Sequence, residues 1–124
     1  MKLLFASDLH AHAFDDFDTL LPNGESSRLT DILGVFKELS ECVKEYGVSA
    51  VVLGGDTFHT PRAVLTRVFQ RTYEAAEQFA DGLGNVPWII NAGNHDLPLL
   101  TSGNKVTSIY AFKKLAQLVV GGAR

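Results

Sequence analysis

Three short apolar runs constrain this sequence most, because each of them stops at a cluster of polar residues. Runs of this length, bounded by polar or turn residues, are typical of buried strands. The runs are Lys2 to Ser7, Val48 to Leu53 and Val86 to Asn91. The polar clusters that follow them are Ser7-Asp8-Leu9-His10, Gly54-Gly55-Asp56-Thr57-Phe58-His59 and Asn91-Ala92-Gly93-Asn94-His95-Asp96.

Helical patterns separate these strands. Apolar residues recur at helical spacing between them, and serines that can cap a helix and a glycine that can end one flank the first pattern. Residues 11–25 are polar and are interpreted as a loop. The alternation of strand and helix is typical of βαβ units, so we predict an α/β fold with a parallel sheet in one domain. The helices and the fourth strand are predicted at Ser26 or Ser27 to Tyr46, about Ala63 to Leu83, about Thr107 to Ala116, and Leu118 to Val120.

The composition narrows the class of protein but leaves the function open. The 124 residues are 46% apolar and 20% charged, as expected for one globular domain, and no apolar run approaches the ~20 residues that span a bilayer. Cys42 is the only cysteine, which excludes an intrachain disulfide and fits a reducing, cytoplasmic location; we interpret it as a small core residue. The net charge of −3 gives no support for nucleic-acid binding, but a metal site consumes carboxylates and the charge therefore does not exclude it.

The polar clusters carry side chains that bind metal ions. In a parallel sheet all three emerge at the carboxyl ends of the strands, where open α/β folds bind ligands. Asp8 and His10 are two residues apart, so in an extended chain both would leave on the same side and chelate one ion. Asp56 can bridge two ions, Asn94 offers a neutral amide oxygen to the second, and the adjacent His95 is a candidate proton donor.

Each cluster also has an interpretation without a metal. Asp8 taken alone is a turn or capping residue, Asp56 follows two glycines as turn residues do, and Asn94 to Asp96 fit a polar loop. A metal site, however, predicts polar clusters at all three strand ends together. Oxygen and nitrogen ligands without thiolate favour Mn²⁺, Fe, Zn²⁺ or Mg²⁺. Two such ions ~3.5–4 Å apart would activate a water and clamp a phosphoryl group.

These clusters resemble the D-x-H, G-D-x-x-H and G-N-H-D motifs of the calcineurin-like metallophosphoesterases, in the same order. The resemblance implies that Asp8 and His10 bind the first metal, that Asp56 bridges both metals and that Asn94 binds the second. It implies that His95 contacts the phosphate and protonates the leaving oxygen. It also implies a four-layer αββα sandwich, of which residues 1–124 would form the N-terminal half.

The family's later histidines, including a G-H-x-H motif, have no counterpart here, since no histidine follows Asp96. We therefore expect residues 1–124 to be the N-terminal portion of one catalytic domain. Alone, this portion would bind at most one metal weakly and would be inactive and poorly soluble.

The G-D-x-Phe-His form of the second motif resembles the DNA-repair nucleases of the SbcD type. This resemblance implies a second catalytic histidine, His59, a DNA substrate, Mn²⁺ as the metal and a partner ATPase of the SbcC type. It is also compatible with a homodimer of the full-length protein. Two alternatives remain: a phosphatase or small-molecule phosphodiesterase of the superfamily, and a catalytically silent fragment.

Other residues near the motifs carry weaker expectations. His12 follows His10 by two positions, but we expect it to be solvent-exposed or outside the ligand shell. Arginines after the second motif could meet a DNA backbone, although a solvated helix face is the more usual outcome. Two aromatic residues are interpreted as core residues and not as base-stacking platforms. These arginines and aromatic residues are Arg62, Arg67, Arg71, Phe58 and Trp88.

Overall fold

A four-stranded parallel sheet organises the chain. The computed structural model describes residues 1–60, 63–93 and 109–120. Strands β1 to β4 lie side by side in the order of the sequence, and every neighbouring pair is parallel. The α/β prediction is confirmed. The strands are Leu3–Ala6 (β1), Ala50–Leu53 (β2), Trp88–Asn91 (β3) and Leu118–Val120 (β4), and the α-helices are Ser27–Tyr46 (α1) and Thr66–Leu83 (α2).

Helix α1 begins and ends as its sequence predicts. Ser26 is the N-cap, and its hydroxyl accepts a hydrogen bond from the backbone N–H of Leu29 at 3.1 Å. Gly47 ends the helix with φ 61° and ψ 50°, the left-handed conformation that glycine adopts without steric cost. Helix α2 starts at Thr66 and not at Ala63, because Leu65 has the extended ψ of 135°.

Strands β2 and β3 each begin two residues later than predicted. The residues between helix and strand are used to end the helices instead. Val48 donates its backbone N–H to the carbonyl of Val43 at 3.1 Å, and Val86 donates to Leu83 at 3.1 Å. Both bonds belong to the turns after α1 and α2, so the strands start only where the chain leaves those turns.

The predicted α-helix over Thr107 to Ala116 is wrong in type for the part that the structure describes. Tyr110–Lys114 form a 3₁₀ helix. Ile109 and Phe112 are both fully buried and lie three residues apart, a spacing that matches the three-residue repeat of a 3₁₀ helix. The backbone N–H of Phe112 accordingly donates to Ile109 at 2.9 Å.

The core lies between the sheet and the two packed α-helices. Phe36 of α1, Phe79 of α2 and Trp88 of β3 form a continuous aromatic contact, with ring centroids 5.5 Å and 5.2 Å apart. Trp88 and Phe58 are buried, which confirms their interpretation as core aromatics. Cys42 is only half-buried, so it lies at the edge of the core and not within it, contrary to our interpretation.

The other face of the sheet exposes apolar side chains. Register places Phe5 beside Val52, Val52 beside Ile89, and Ile89 beside Leu118. Phe5 and Leu118, at the two ends of this row, are 67% and 52% exposed. Within the part of the chain that the structure describes, neither α-helix is both long and apolar enough to cross a membrane.

Candidate metal centre

The loops after β1 and β2 keep pairing beyond the ends of the strands. The backbone N–H groups of Asp8 and His10 donate to the carbonyls of Gly55 and Asp56, both at 2.9 Å. Ala11 continues the series by donating to Thr57 at 2.8 Å. These bonds fix the first polar cluster against the second by backbone alone, so the side chains of both clusters meet above the sheet.

The backbone at this edge is unusual. Asp8, His10 and Asp56 all have positive φ, of 60°, 51° and 53°. The expectation that Asp8 and His10 share a side because the chain is extended is therefore wrong, since β1 has already ended at Ala6. Aspartate and histidine tolerate this left-handed conformation better than most residues, and such backbone clusters at functional sites.

Asp8, His10 and Asp56 nevertheless come together. Their candidate ligand atoms all lie within 4.8 Å of one another. Nε2 of His10 is 3.4 Å from Oδ1 of Asp8 and 3.9 Å from Oδ2 of Asp56. Two ligands on a tetrahedral ion with bonds of about 2.1 Å are about 3.4 Å apart, so these donors fit a divalent ion with little movement.

The two carboxylates differ in exposure. The Asp8 side chain is 63% exposed, whereas that of Asp56 is 14% exposed. The Ser7 hydroxyl donates to Oδ2 of Asp8 at 2.6 Å, and this bond, followed by the contact with His10, lowers the pKa of Asp8 below its usual value of 3.8. Asp8 is therefore a carboxylate at neutral pH, as a metal ligand must be.

His59 lies directly behind His10. The Nδ1 atoms of the two imidazoles are 3.2 Å apart, so His59 meets the nitrogen of His10 that faces away from the carboxylates. His12 is outside the group of three donors, and its ring centroid is 5.1 Å from that of His59. The structure thus brings Asp8, His10, Asp56 and His59 to one place.

The third polar cluster reaches the same edge. Asn91 donates its side-chain amide to the carbonyl of Gly54 at 3.3 Å. A Cβ at Gly93 would lie 2.7 Å from Cγ of Asp56, so the backbone of the third cluster touches the central carboxylate. Asn94 and His95, the predicted ligand and proton donor, lie outside the described residues.

The described arginines are engaged by an acidic residue that our sequence analysis missed. Arg67 and Arg71 both form ion pairs with Glu25, the former at 3.3 Å. Although partial burial alone would raise the pKa of Glu25, hydrogen bonds from both arginines hold it below 4.5. These arginines fasten the loop to α2 and do not form the solvated face that we favoured; Arg62 lies outside the described residues.

Comparison with known proteins identifies the family. The family model described as calcineurin-like phosphoesterase matches residues 1–121. The chain belongs to the calcineurin-like phosphoesterases. Within this group of phosphoesterases it is similar to the SbcD subunit of the nuclease SbcCD of Bacillus subtilis (strain 168), with 38% identity over 74 residues. The aligned part is 58% of this chain but only 18% of the relative, so the chain matches a small part of that protein.

Membership gives the donor group its chemical context. A calcineurin-like phosphoesterase depends on metal ions, and Asp8, His10 and Asp56 are the three side chains that the structure gathers as a possible metal-binding group. The family therefore makes this chain a phosphoester hydrolase.

Proposed function

We propose that this protein is a metal-dependent nuclease that hydrolyses phosphodiester bonds in DNA. The observation that supports the proposal most is the convergence of Asp8, His10 and Asp56 at the carboxyl edge of the sheet, with donor atoms within 4.8 Å. We propose two ions, with Asp56 as the bridge and Asn94 as a ligand of the second. Carboxylate and imidazole donors suit Mn²⁺, our first choice, as well as Fe, Zn²⁺ and Mg²⁺.

When bound, the ions supply positive charge that polarises a phosphoryl oxygen and makes water more acidic. The chain holds the donors for them. The lowered pKa of Asp8 keeps that carboxylate charged, and the backbone bonds of Asp8 and His10 to the second cluster fix the spacing of the donors. We propose that His95 protonates the leaving oxygen and that His59 assists beside the phosphate. General acid–base groups contribute typically ~10²–10⁴-fold.

The substrate and partner follow from the relative. Its name describes it as one component of a nuclease, SbcCD, and the motif Gly55-Asp56-Thr57-Phe58-His59 resembles that subgroup. We propose DNA as substrate, an ATPase of the SbcC type as partner, a homodimer of the catalytic subunit and a cytoplasmic location. Since the alignment covers 18% of the relative, these assignments need direct tests.

The test uses the protein expressed from its complete gene. It is supplied with Mn²⁺ and offered linear double-stranded DNA and, separately, a chromogenic phosphate ester. We expect DNA hydrolysis that is lost in Asp56→Asn together with bound metal. Asp81→Asn is the matched control, because Asp81 is exposed near the end of α2, at the opposite edge of the sheet.

The outcomes separate the candidates. Hydrolysis of the ester without hydrolysis of DNA would favour a phosphatase or small-molecule phosphodiesterase. Inactivity on both substrates would favour a catalytically silent protein. Two tightly held ions in Asp56→Asn would refute the bridging role of Asp56. The 124 residues expressed alone are expected to be inactive, because their assigned donors are too few for two ions.

A further inference from the structure

The loop between β1 and α1 places an aromatic ring against the histidines of the metal centre. The Phe14 ring centroid lies 4.9 Å from that of His59 and 4.7 Å from that of His12. The two imidazoles are themselves 5.1 Å apart, so the three rings form one packed cluster. Phe14 therefore restricts the orientations that the His59 ring can adopt.

The Phe14 ring is itself held by helix α1. The guanidinium carbon of Arg28 lies 4.2 Å from the Phe14 ring centroid, a cation–π contact. Arg28 is fixed at both ends: its side chain donates to the carbonyl of Asp16 at 2.7 Å, and its backbone N–H donates to the Asp18 carboxylate at 3.0 Å. The first turn of α1 thus supports Phe14, and Phe14 supports His59.

His59 matters to the metal centre because of its contact with His10. Nε2 of His10 faces the Asp8 and Asp56 carboxylates, whereas Nδ1 faces Nδ1 of His59 at 3.2 Å. A neutral imidazole that gives Nε2 to a cation carries its hydrogen on Nδ1 and can donate it to His59. A partner of this kind orients the ligand ring, and its loss typically weakens metal affinity ~10–100-fold.

We propose that Phe14 is a positioning residue of the metal centre: held by Arg28, it keeps the His59 ring where it bonds Nδ1 of His10. The proposal rests on the proposed function in so far as His10 binds a metal. It assigns His59 a task in addition to the catalytic one, namely support of a metal ligand. Phe14 acts on the metal through His59 and not as a ligand, since its ring carries no donor atom.

Metal affinity of the protein from its complete gene is the readout. The metal-free protein is titrated with Mn²⁺ by calorimetry. Phe14→Leu keeps apolar bulk but removes the ring, and we expect it to weaken Mn²⁺ binding about tenfold, the lower end of the range for a lost supporting partner. Phe14→Tyr keeps the ring and is expected to restore the affinity. Phe17→Leu is the matched control, since Phe17 is in the same loop and 98% exposed.

A merely structural role makes a different prediction. If Phe14 only packs, Phe14→Leu lowers the melting temperature while Mn²⁺ binding stays as in the unmodified protein, and the proposal is overturned. Should Phe14→Leu fail to fold, Arg28→Gln decides, because it keeps Phe14 and the backbone bond to Asp18. Unchanged affinity in Arg28→Gln then overturns the proposal, and a loss greater than in Phe17→Leu supports it.

Failure of the proposed function is recognisable separately. In that case the unmodified protein and His10→Ala bind Mn²⁺ equally poorly, and the positioning role falls with the metal site. If instead the unmodified protein binds Mn²⁺ and His10→Ala does not, the metal site stands. The comparison of Phe14→Leu with Phe14→Tyr then tests the positioning role alone.

Discussion

Gly93→Ala is the most informative single change at this site, because it alters no candidate ligand. A Cβ at residue 93 would meet Asp56 on three atoms: 2.7 Å from Cγ, and closer still to Oδ1 and the backbone nitrogen. The neighbouring loop offers no room on that side, since a Cβ at Gly55 would in turn lie 2.9 Å from the Gly93 backbone. The extra methyl group therefore has to push Asp56 away.

The displacement gives the size of the expected effect. Carbon atoms in contact are normally at least ~3.5 Å apart, so relief of the 2.7 Å contact alone requires roughly 0.8 Å. The nearer backbone nitrogen brings the required shift to about 1 Å. Misplacement of a reacting group by 1 Å can cost ~10²-fold in rate. We therefore expect kcat/KM to fall about 100-fold, equivalent to about 2.7 kcal/mol of transition-state stabilisation.

The assay compares Gly93→Ala with Gly34→Ala in the protein from its complete gene. A Cβ at Gly34 meets nothing within 4 Å, and alanine is the better helix former by about 1 kcal/mol. Gly34→Ala should therefore keep full activity and gain stability. Folding of Gly93→Ala is checked by circular dichroism. A folded Gly93→Ala with unmodified kcat/KM would show that Asp56 need not be held against this loop, and our account of the site would be wrong.

Three further changes test the local structure around the site by thermal and denaturant unfolding. Asp56→Gly should be more stable than Asp56→Ala by about 1 kcal/mol, because only alanine suffers at φ 53°; the reverse order would refute the left-handed backbone. Ser26→Ala should lower the free energy of unfolding by about 1 kcal/mol through loss of the N-cap of α1, and no change would show that the cap is unimportant. The pKa of Glu25 is lowered in the folded protein, so its contribution to stability is present above the usual value of 4.5 and is lost as the pH falls through the folded value. The melting temperature of Glu25→Gln should therefore lie below that of the unmodified protein at pH 6 and equal it at acid pH; a gap independent of pH would contradict the ion pairs.

The sequence predicts the sheet and the location of the site well, because both depend on local patterns. Strands end where apolar runs end, and parallel strands bring their carboxyl ends to one edge. Asp8, His10 and Asp56 can therefore be grouped from the order of strands and polar clusters alone. Helix α1 was also predictable at both ends, since Ser26 and Gly47 act through bonds to near neighbours in the chain.

The path of the loop between β1 and α1 could not be predicted from sequence. Phe14 meets His59 and Glu25 meets Arg71 across 45 or more positions of chain, and no periodic pattern links such partners. A weak signal existed for Glu25, since Arg67 and Arg71 lie one helical turn apart and could share one carboxylate. The backbone conformation of Asp8 and His10 was wrongly expected, because alternation of side chains applies only within a strand.

The same geometry explains how a site can form on loops and still be fixed. Asp8 and His10 are tied to the second cluster by their own backbone N–H groups, and those bonds survive any substitution except proline. Gly93 then presses the third cluster against Asp56 from the other side. Loss of one ligand side chain should therefore remove affinity for the metal without moving the remaining donors. The spacing of the donors belongs to the backbone, whereas their chemistry belongs to the side chains, and the two can be altered independently.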